Sequence, residues 1–254
     1  MIVCKSPAEI ERMAVANGLV ARILAELAEV TSPGVTTREL DALAERRIAE
    51  AGARPAVKGY RGYPATLCAS VNEQVVHGIP SDRPMKEGDI VSLDMGVVMD
   101  GFYGDSAITV GVGRITPAAA TLLRVTEESL EQAIRQVRAG ARLSDIGHAV
   151  QQCVEANGFS VVREFVGHGI GAALHEEPQI PNFGEPGRGP RLADGMVLAI
   201  EPMVNAGKPA VKVLVDGWTA VTRDGSLSAH FEHTVAVTAD GARVLTRREA
   251  TVRR

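Results

Sequence analysis

Apolar and polar positions along the chain fall into one arrangement that occurs twice. Ser6-Pro7-Ala8 and Thr116-Pro117-Ala118 each read as an N-cap followed by proline at the first helical position, and each opens an Ala/Leu/Glu-rich helix. Both helices stop at a glycine turn, and second helices follow Gly34 and Gly140. Gly34 and Gly140, Glu39 and Asp145, and Gly52 and Gly158 are all separated by 106 positions. Two apolar runs then end on a carboxylate, Ile90-Val91-Ser92-Leu93-Asp94 and Val197-Leu198-Ala199-Ile200-Glu201, with Gly88 to Asp94 matching Gly195 to Glu201 at a separation of 107. Asp105 to Val110 matches Glu232 to Val237 at a separation of 127, which places 20 additional residues inside the second hairpin. Four segments repeated in one order point to an internal duplication. The pattern predicts an α+β chain, residues 1–254 forming a single catalytic domain of two pseudo-symmetric halves, about 1–113 and 114–254. A curved, mainly antiparallel sheet would carry the helices on its outer face.

The register of the first hairpin follows from its turn. Asp100-Gly101 is a strong two-residue turn signal, so Met99 faces Phe102 and Asp94 faces Ala107, leaving Asp105 diagonal to Asp94 on the same face. Diagonal neighbours lie roughly 7 to 8 Å apart. Glu201 and Glu232 would come from the second hairpin by the pseudo-twofold relation, so four acids share one hollow. Two carboxylates about 5 Å apart repel by roughly 3 kcal/mol at an effective dielectric near 20. Such a cluster must protonate, separate or bind cations.

A lone Asp at such a place serves as a hairpin-end or capping acid; the full set reads differently. His168, in Gly167-His168-Gly169-Ile170-Gly171, supplies a nitrogen donor among glycines that allow close backbone approach or simply turn the chain. Asp94, Asp105, His168, Glu201 and Glu232 form a mixed O/N ligand set suited to manganese, iron(II), cobalt or zinc. The formal charge of four carboxylates balances two divalent ions, and a bridging water of lowered pKa would supply hydroxide near neutral pH. The leading reading is therefore a two-metal hydrolase. His175 can steady an oxyanion and His77 can hydrogen-bond substrate, although either alone is more often a satisfied structural histidine. His230 and His233, which flank Glu232, are expected to face the same way as each other and away from the metals.

Composition narrows the class. The chain has 254 residues, 45% hydrophobic and 23% charged, which is an ordinary globular balance. Lys+Arg 27 against Asp+Glu 31 gives a formal net charge of -4, which argues against nucleic-acid binding as the main task. The basic end, Arg247, Arg248, Arg253 and Arg254, reads as a solvated terminus. No window approaches the roughly 20 apolar residues of a membrane span, and the first residues lack the regions of a signal peptide, so a cytoplasmic protein is expected. Cys4, Cys68 and Cys153 contain no C-x-x-C pair and suit reduced thiols.

The five candidate ligands lie in Asp100-Gly101-Phe102-Tyr103-Gly104-Asp105, Gly167-His168-Gly169-Ile170-Gly171, Glu201-Pro202-Met203-Val204-Asn205-Ala206-Gly207 and Phe231-Glu232-His233-Thr234. With these motifs the chain closely resembles, nearly end to end, the bacterial type I methionine aminopeptidases, a family with the duplicated pita-bread fold. The resemblance implies removal of the initiator methionine from nascent polypeptides when the next residue is small. It implies that Asp94 binds one metal, that Asp105 and Glu232 bridge both, and that His168 and Glu201 bind the other, with Glu201 also shuttling a proton. It makes His77 and His175 substrate-contacting histidines, and Tyr60, Tyr63, Cys68 and Trp218 walls of a methionine pocket. It further implies a monomer in transient association with the ribosome.

Two positions depart from the enterobacterial pattern: Leu174 stands where an aromatic is usual, and Val57 where a cysteine can occur. Both bear on pocket shape rather than on the metals. Three rival readings remain, one of them a structural metal site in an unrelated binding protein, for which chelation would unfold the chain rather than merely stop hydrolysis. Proline-specific peptidases of the same fold share the five-ligand pattern but usually carry an added N-terminal domain, for which this chain is expected to have no room. Noncatalytic relatives that bind peptides or ribosomes have lost ligands that this chain keeps.

Overall fold

The computed structural model describes residues 1–247; Arg248, Arg253 and Arg254 of the basic end lie outside the described residues, and Arg247 approaches Glu131 at 3.5 Å. Four helices carry the repeat: α1 (Pro7–Val30), α2 (Thr37–Glu50), α3 (Pro117–Ile134) and α4 (Leu143–Ala156). Ser6 and Thr36 close capping boxes with Glu9 and Glu39, while Thr116 accepts from the Ala119 N–H. The fourth helix lacks a hydroxyl cap, and the carboxylate of Asp145 accepts from the Arg142 N–H instead.

The strands Ile90–Met99 and Phe102–Gly111 pair antiparallel about Asp100-Gly101, with Met99 opposite Phe102 and Asp94 opposite Ala107 as the turn requires. Both turn residues have positive φ, +49° and +80°. In the second half, Val197–Ile200 pairs with His233–Thr238, Ile200 opposite His233. All the strand pairings among the described residues are antiparallel, but the hollow is not lined by one continuous sheet. A four-stranded sheet holds the first hairpin and a five-stranded sheet the second, with two three-stranded sheets beside them. The two large sheets meet where the Glu232 N–H donates to the Ala107 carbonyl (2.9 Å). The seam continues as Ser106 donates to the Glu232 carbonyl (2.7 Å), Thr234 to the Asp105 carbonyl (2.8 Å) and Thr109 to the His230 carbonyl (2.8 Å). Buried hydroxyls thus satisfy the carbonyls that strand pairing leaves open there.

One apolar cluster runs through both halves, from Leu24 and Leu93 to Leu122, Leu198 and Val235. Fully burying each such side chain contributes about 1.5–3 kcal/mol. Helix α1 lies directly on the Phe102–Gly111 strand: a Cβ on Gly104 would sit 2.8 Å from the Asn17 nitrogen and 2.9 Å from the Ala16 carbonyl carbon. Asn17, buried within α1, donates to the Met13 carbonyl and accepts from the Asp105 N–H (3.2 Å). The helix therefore holds the backbone of a candidate ligand.

Candidate metal centre

Asp94, Asp105, His168, Glu201 and Glu232 line one cavity of about 180 Å³. Asp94 and Asp105 lie within the two strands of the first hairpin, His168 in the short strand Gly167–Gly169 that pairs with Val197–Ile200, Glu201 just past the end of Val197–Ile200, and Glu232 at the seam between the sheets. Donor atoms of Asp105, His168 and Glu232 lie within 4.8 Å of one another, and all three residues are buried. His168 Nε2 stands 3.6 Å from Glu201 Oε1 and 3.9 Å from Asp105 Oδ2. Burial, with His175 adding to it, pushes the His168 pKa down to about 4, so these approaches are not ion pairs at neutral pH.

The tautomer of His168 decides what fills the hollow. Its Nδ1 lies 2.9 Å from the Gly169 carbonyl, which can only accept, so Nδ1 carries the hydrogen. Nε2 is left with a lone pair facing two carboxylates. Asp105 Oδ1 and Glu232 Oε1 are buried without a hydrogen-bond partner among the described residues. Burial raises the Asp94 pKa to about 7. Burial first, then repulsion among the acids, raises Asp105, Glu201 and Glu232 well above the usual carboxylate range. Converging lone pairs with no donor among them fit divalent cations, which would neutralise the acids and accept from the imidazole. The residues present suit such ions.

The sequence profile of metallopeptidase family M24 matches residues 11–239. The chain belongs to this family. It is 54% identical to methionine aminopeptidase 1 of Bacillus subtilis over 97% of this chain and 100% of that one. The crystal structure of methionine aminopeptidase from Thermotoga maritima matches with a TM-score of 0.96 at 50% identity, covering 98% of this chain and 100% of that one. Prolidase from Pyrococcus furiosus matches with a TM-score of 0.78 at 22% identity, over 98% of this chain and 66% of that one, a likeness of fold alone. The M24 assignment agrees with the pita-bread architecture and with the metal-suited cluster.

The rest of this M24 site is an apolar slot beside the acids. Tyr63 and Cys68 are buried, and the Trp218 ring meets Tyr63 edge-on at 5.2 Å. The Tyr63 hydroxyl lies 2.9 Å from the Gly78 carbonyl, which fixes the ring, and Cys68 pairs with Asp94 across strands. Burial raises the Cys68 pKa well above its ordinary value, so the wall is a neutral thiol. Val57 and Leu174 also face the cavity. Tyr60 bonds His175 Nδ1 at 2.8 Å, and the His175 ring lies 4.3 Å from that of His168, tilted by 55°. His77 has φ +59°, a rare conformation for a side-chain-bearing residue, and its ring packs edge-on against Phe165 and Trp218. Burial lowers its pKa to about 4.

His230 does not turn away from the acids: its Nε2 lies 3.7 Å from Glu201 Oε2. His233 does turn away, bonding Thr246 at 2.8 Å. Residues three apart cannot share a strand face, and His230 has the parity of Glu232, so the spacing itself carried the signal. The strand also ends at His230 and a new one starts at His233. The glycines flanking His168 serve neighbouring strands rather than a ligand: Cβ atoms there would lie 2.4 Å from the Ala199 oxygen and 2.2 Å from the Glu177 oxygen. Phe165, which lies outside every motif, and Met203, which lies inside the Glu201–Gly207 motif without a role assigned to it, line an adjoining cavity of about 110 Å³ next to His77 and Glu201.

Proposed function

We propose that this M24 peptidase removes the N-terminal methionine of nascent polypeptides whose second residue is small. The observation that carries the reading is the junction of a cluster of converging lone pairs, suited to cations, with a slot of Tyr63, Cys68 and Trp218. An unbranched thioether packs well against aromatic and sulfur-containing walls. The full-length likeness to methionine aminopeptidases supports it. Asp94 would hold one ion, Asp105 and Glu232 both, and His168 and Glu201 the other. Two divalent ions, of manganese, iron(II), cobalt or zinc, match the charge of the four carboxylates. Such ions supply Lewis acidity, acidifying a nucleophilic water and polarising the scissile carbonyl.

The chain's own groups do the rest. Glu201, just past the end of its strand and facing the hollow, can take a proton from the attacking water and pass it to the leaving amine. Burial and the nearby Arg61 lower the pKa of His175, which keeps its ring neutral at pH 7. His175 Nδ1 lies 2.8 Å from the Tyr60 hydroxyl, and the tautomer in which that hydroxyl donates keeps the imidazole hydrogen on Nε2, where it can bond the developing oxyanion. His77, fixed by its neighbours, is placed to hydrogen-bond substrate. No helix among the described residues is long and apolar enough to cross a membrane. A monomer acting in the cytoplasm, with transient ribosome contact, fits this role.

Hydrolysis of Met-Ala-Ser against a Xaa-Pro dipeptide, by chain stripped of metal and then reloaded, tests the reading. Metal-dependent release of methionine from the tripeptide is expected. Preferential cleavage of the Xaa-Pro peptide would make it a proline-specific enzyme, and no turnover of either would make it a binding relative.

A further inference from the structure

The His230 side chain is 1% exposed, and neither ring nitrogen has a hydrogen-bond partner among the described residues. A buried polar group left unpaired is destabilising, so its retention calls for a partner in the working state. Its backbone is pinned: the N–H donates to Thr109 Oγ1 (2.8 Å), whose own hydrogen goes back to the His230 carbonyl, and the strand pairs with Met203–Asn205. The ring therefore has little freedom to search for a partner. What lies before it is Glu201 Oε2, at 3.7 Å from Nε2, while the other oxygen of the same carboxylate faces His168 at 3.6 Å. Glu201 is bracketed by two imidazoles, only one of which belongs to the ligand cluster.

We propose that His230 is a positioning residue for Glu201, donating a hydrogen bond from Nε2 to Oε2 so that Oε1 stays turned toward His168 and the metal centre. The inference rests on Glu201 being a ligand. A closure of about 0.7 Å, from 3.7 Å to an ordinary hydrogen-bond length of about 3.0 Å, is within reach of a rotating carboxylate. A bond of this kind to a ligating carboxylate orients it, and its loss typically weakens metal affinity 10–100-fold.

The test uses the full chain, stripped by chelation and titrated with Co²⁺ alone, as wild type, His230→Leu, His230→Gln and Glu201→Gln. His230→Leu is expected to bind Co²⁺ about 10–100-fold more weakly, with an altered visible spectrum of the bound ion, and to lower kcat for Met-Ala-Ser while KM stays within about twofold. His230→Gln, which restores an N–H donor, is expected to recover affinity, spectrum and kcat. If the leucine variant does not fold, His230→Phe keeps the ring shape without the donor and takes its place. Wild-type affinity and spectrum in the donor-free variant would overturn the proposal. So would failure of glutamine to rescue, which would make the imidazole itself a ligand. Glu201→Gln binding Co²⁺ like wild type would instead overturn the ligand reading beneath it.

Discussion

Replacing Glu232 with glutamine should stabilise the metal-free chain while disabling it. Glu232 is 3% exposed and Asp105 is 6% exposed, and their donor atoms lie within 4.8 Å. At an effective dielectric near 20, two full charges at that separation repel by about 3.5 kcal/mol. Raised pKa values leave part of this repulsion unrealised at neutral pH, so relief of about 1–3 kcal/mol is expected at pH 8. The amide can in addition donate to the unpaired Asp105 oxygen. For a chain of this size about 1 kcal/mol moves the melting temperature by about 2–4 °C. The glutamine variant should therefore melt about 3–10 °C above wild type in EDTA. In excess Mn²⁺ the order should invert, since an ion at 100 times its Kd adds about 2.7 kcal/mol to a chain that binds it, and the variant lacks the carboxylate proposed to bridge. Thermal denaturation followed by circular dichroism, in EDTA and in Mn²⁺, measures both. A variant that melts below wild type in EDTA, or gains as much from Mn²⁺, would refute the electrostatic account.

Metal-free stability should fall between pH 6.5 and pH 8. Asp94 titrates near 7 in the fold because burial opposes its charge, against about 3.9 when unfolded, so the folded state holds the proton longer and stability is lost as pH rises through 7. The buried histidines pull the other way only below their unfolded pKa of about 6.5; urea denaturation in EDTA that rises across the window would contradict this. His175→Ala should lower kcat about 10²-fold with metal content unchanged, and loss of the metals on elemental analysis would make the residue structural. Gly104→Ala should cost about 1–3 kcal/mol by forcing α1 off the strand, and an unchanged melting temperature would show that the helix can yield.

Much of the framework was legible because short-range chemistry determines it. Ser6-Pro7 and Thr116-Pro117 announce helix starts, and Asp100-Gly101 sets the register that brings Asp105 diagonal to Asp94. What lay beyond reach depends on contacts between distant segments. The division into separate sheets arises because Glu232 spends its N–H on Ala107 rather than on a continuing ladder, which also breaks the strand after His230. The tie of buried Lys5 to Glu176, next to His175, joins residues 171 positions apart. The 20-residue insertion proves to hold the Val211–Val213 and Ala220–Thr222 hairpin, whose connection delivers Trp218 to the slot. His230, by contrast, could have been found from parity alone.

Acids from both hairpins, with His168, are proposed to gather two divalent ions. Anomalous diffraction at the manganese edge, from crystals of the full chain grown in Mn²⁺, tests this most directly. Two peaks about 3.5–4 Å apart are expected, with the carboxylates of Asp105 and Glu232 reaching both and His168 Nε2 at one. Absence of both peaks from the hollow, or ions held there by other side chains, would contradict the account.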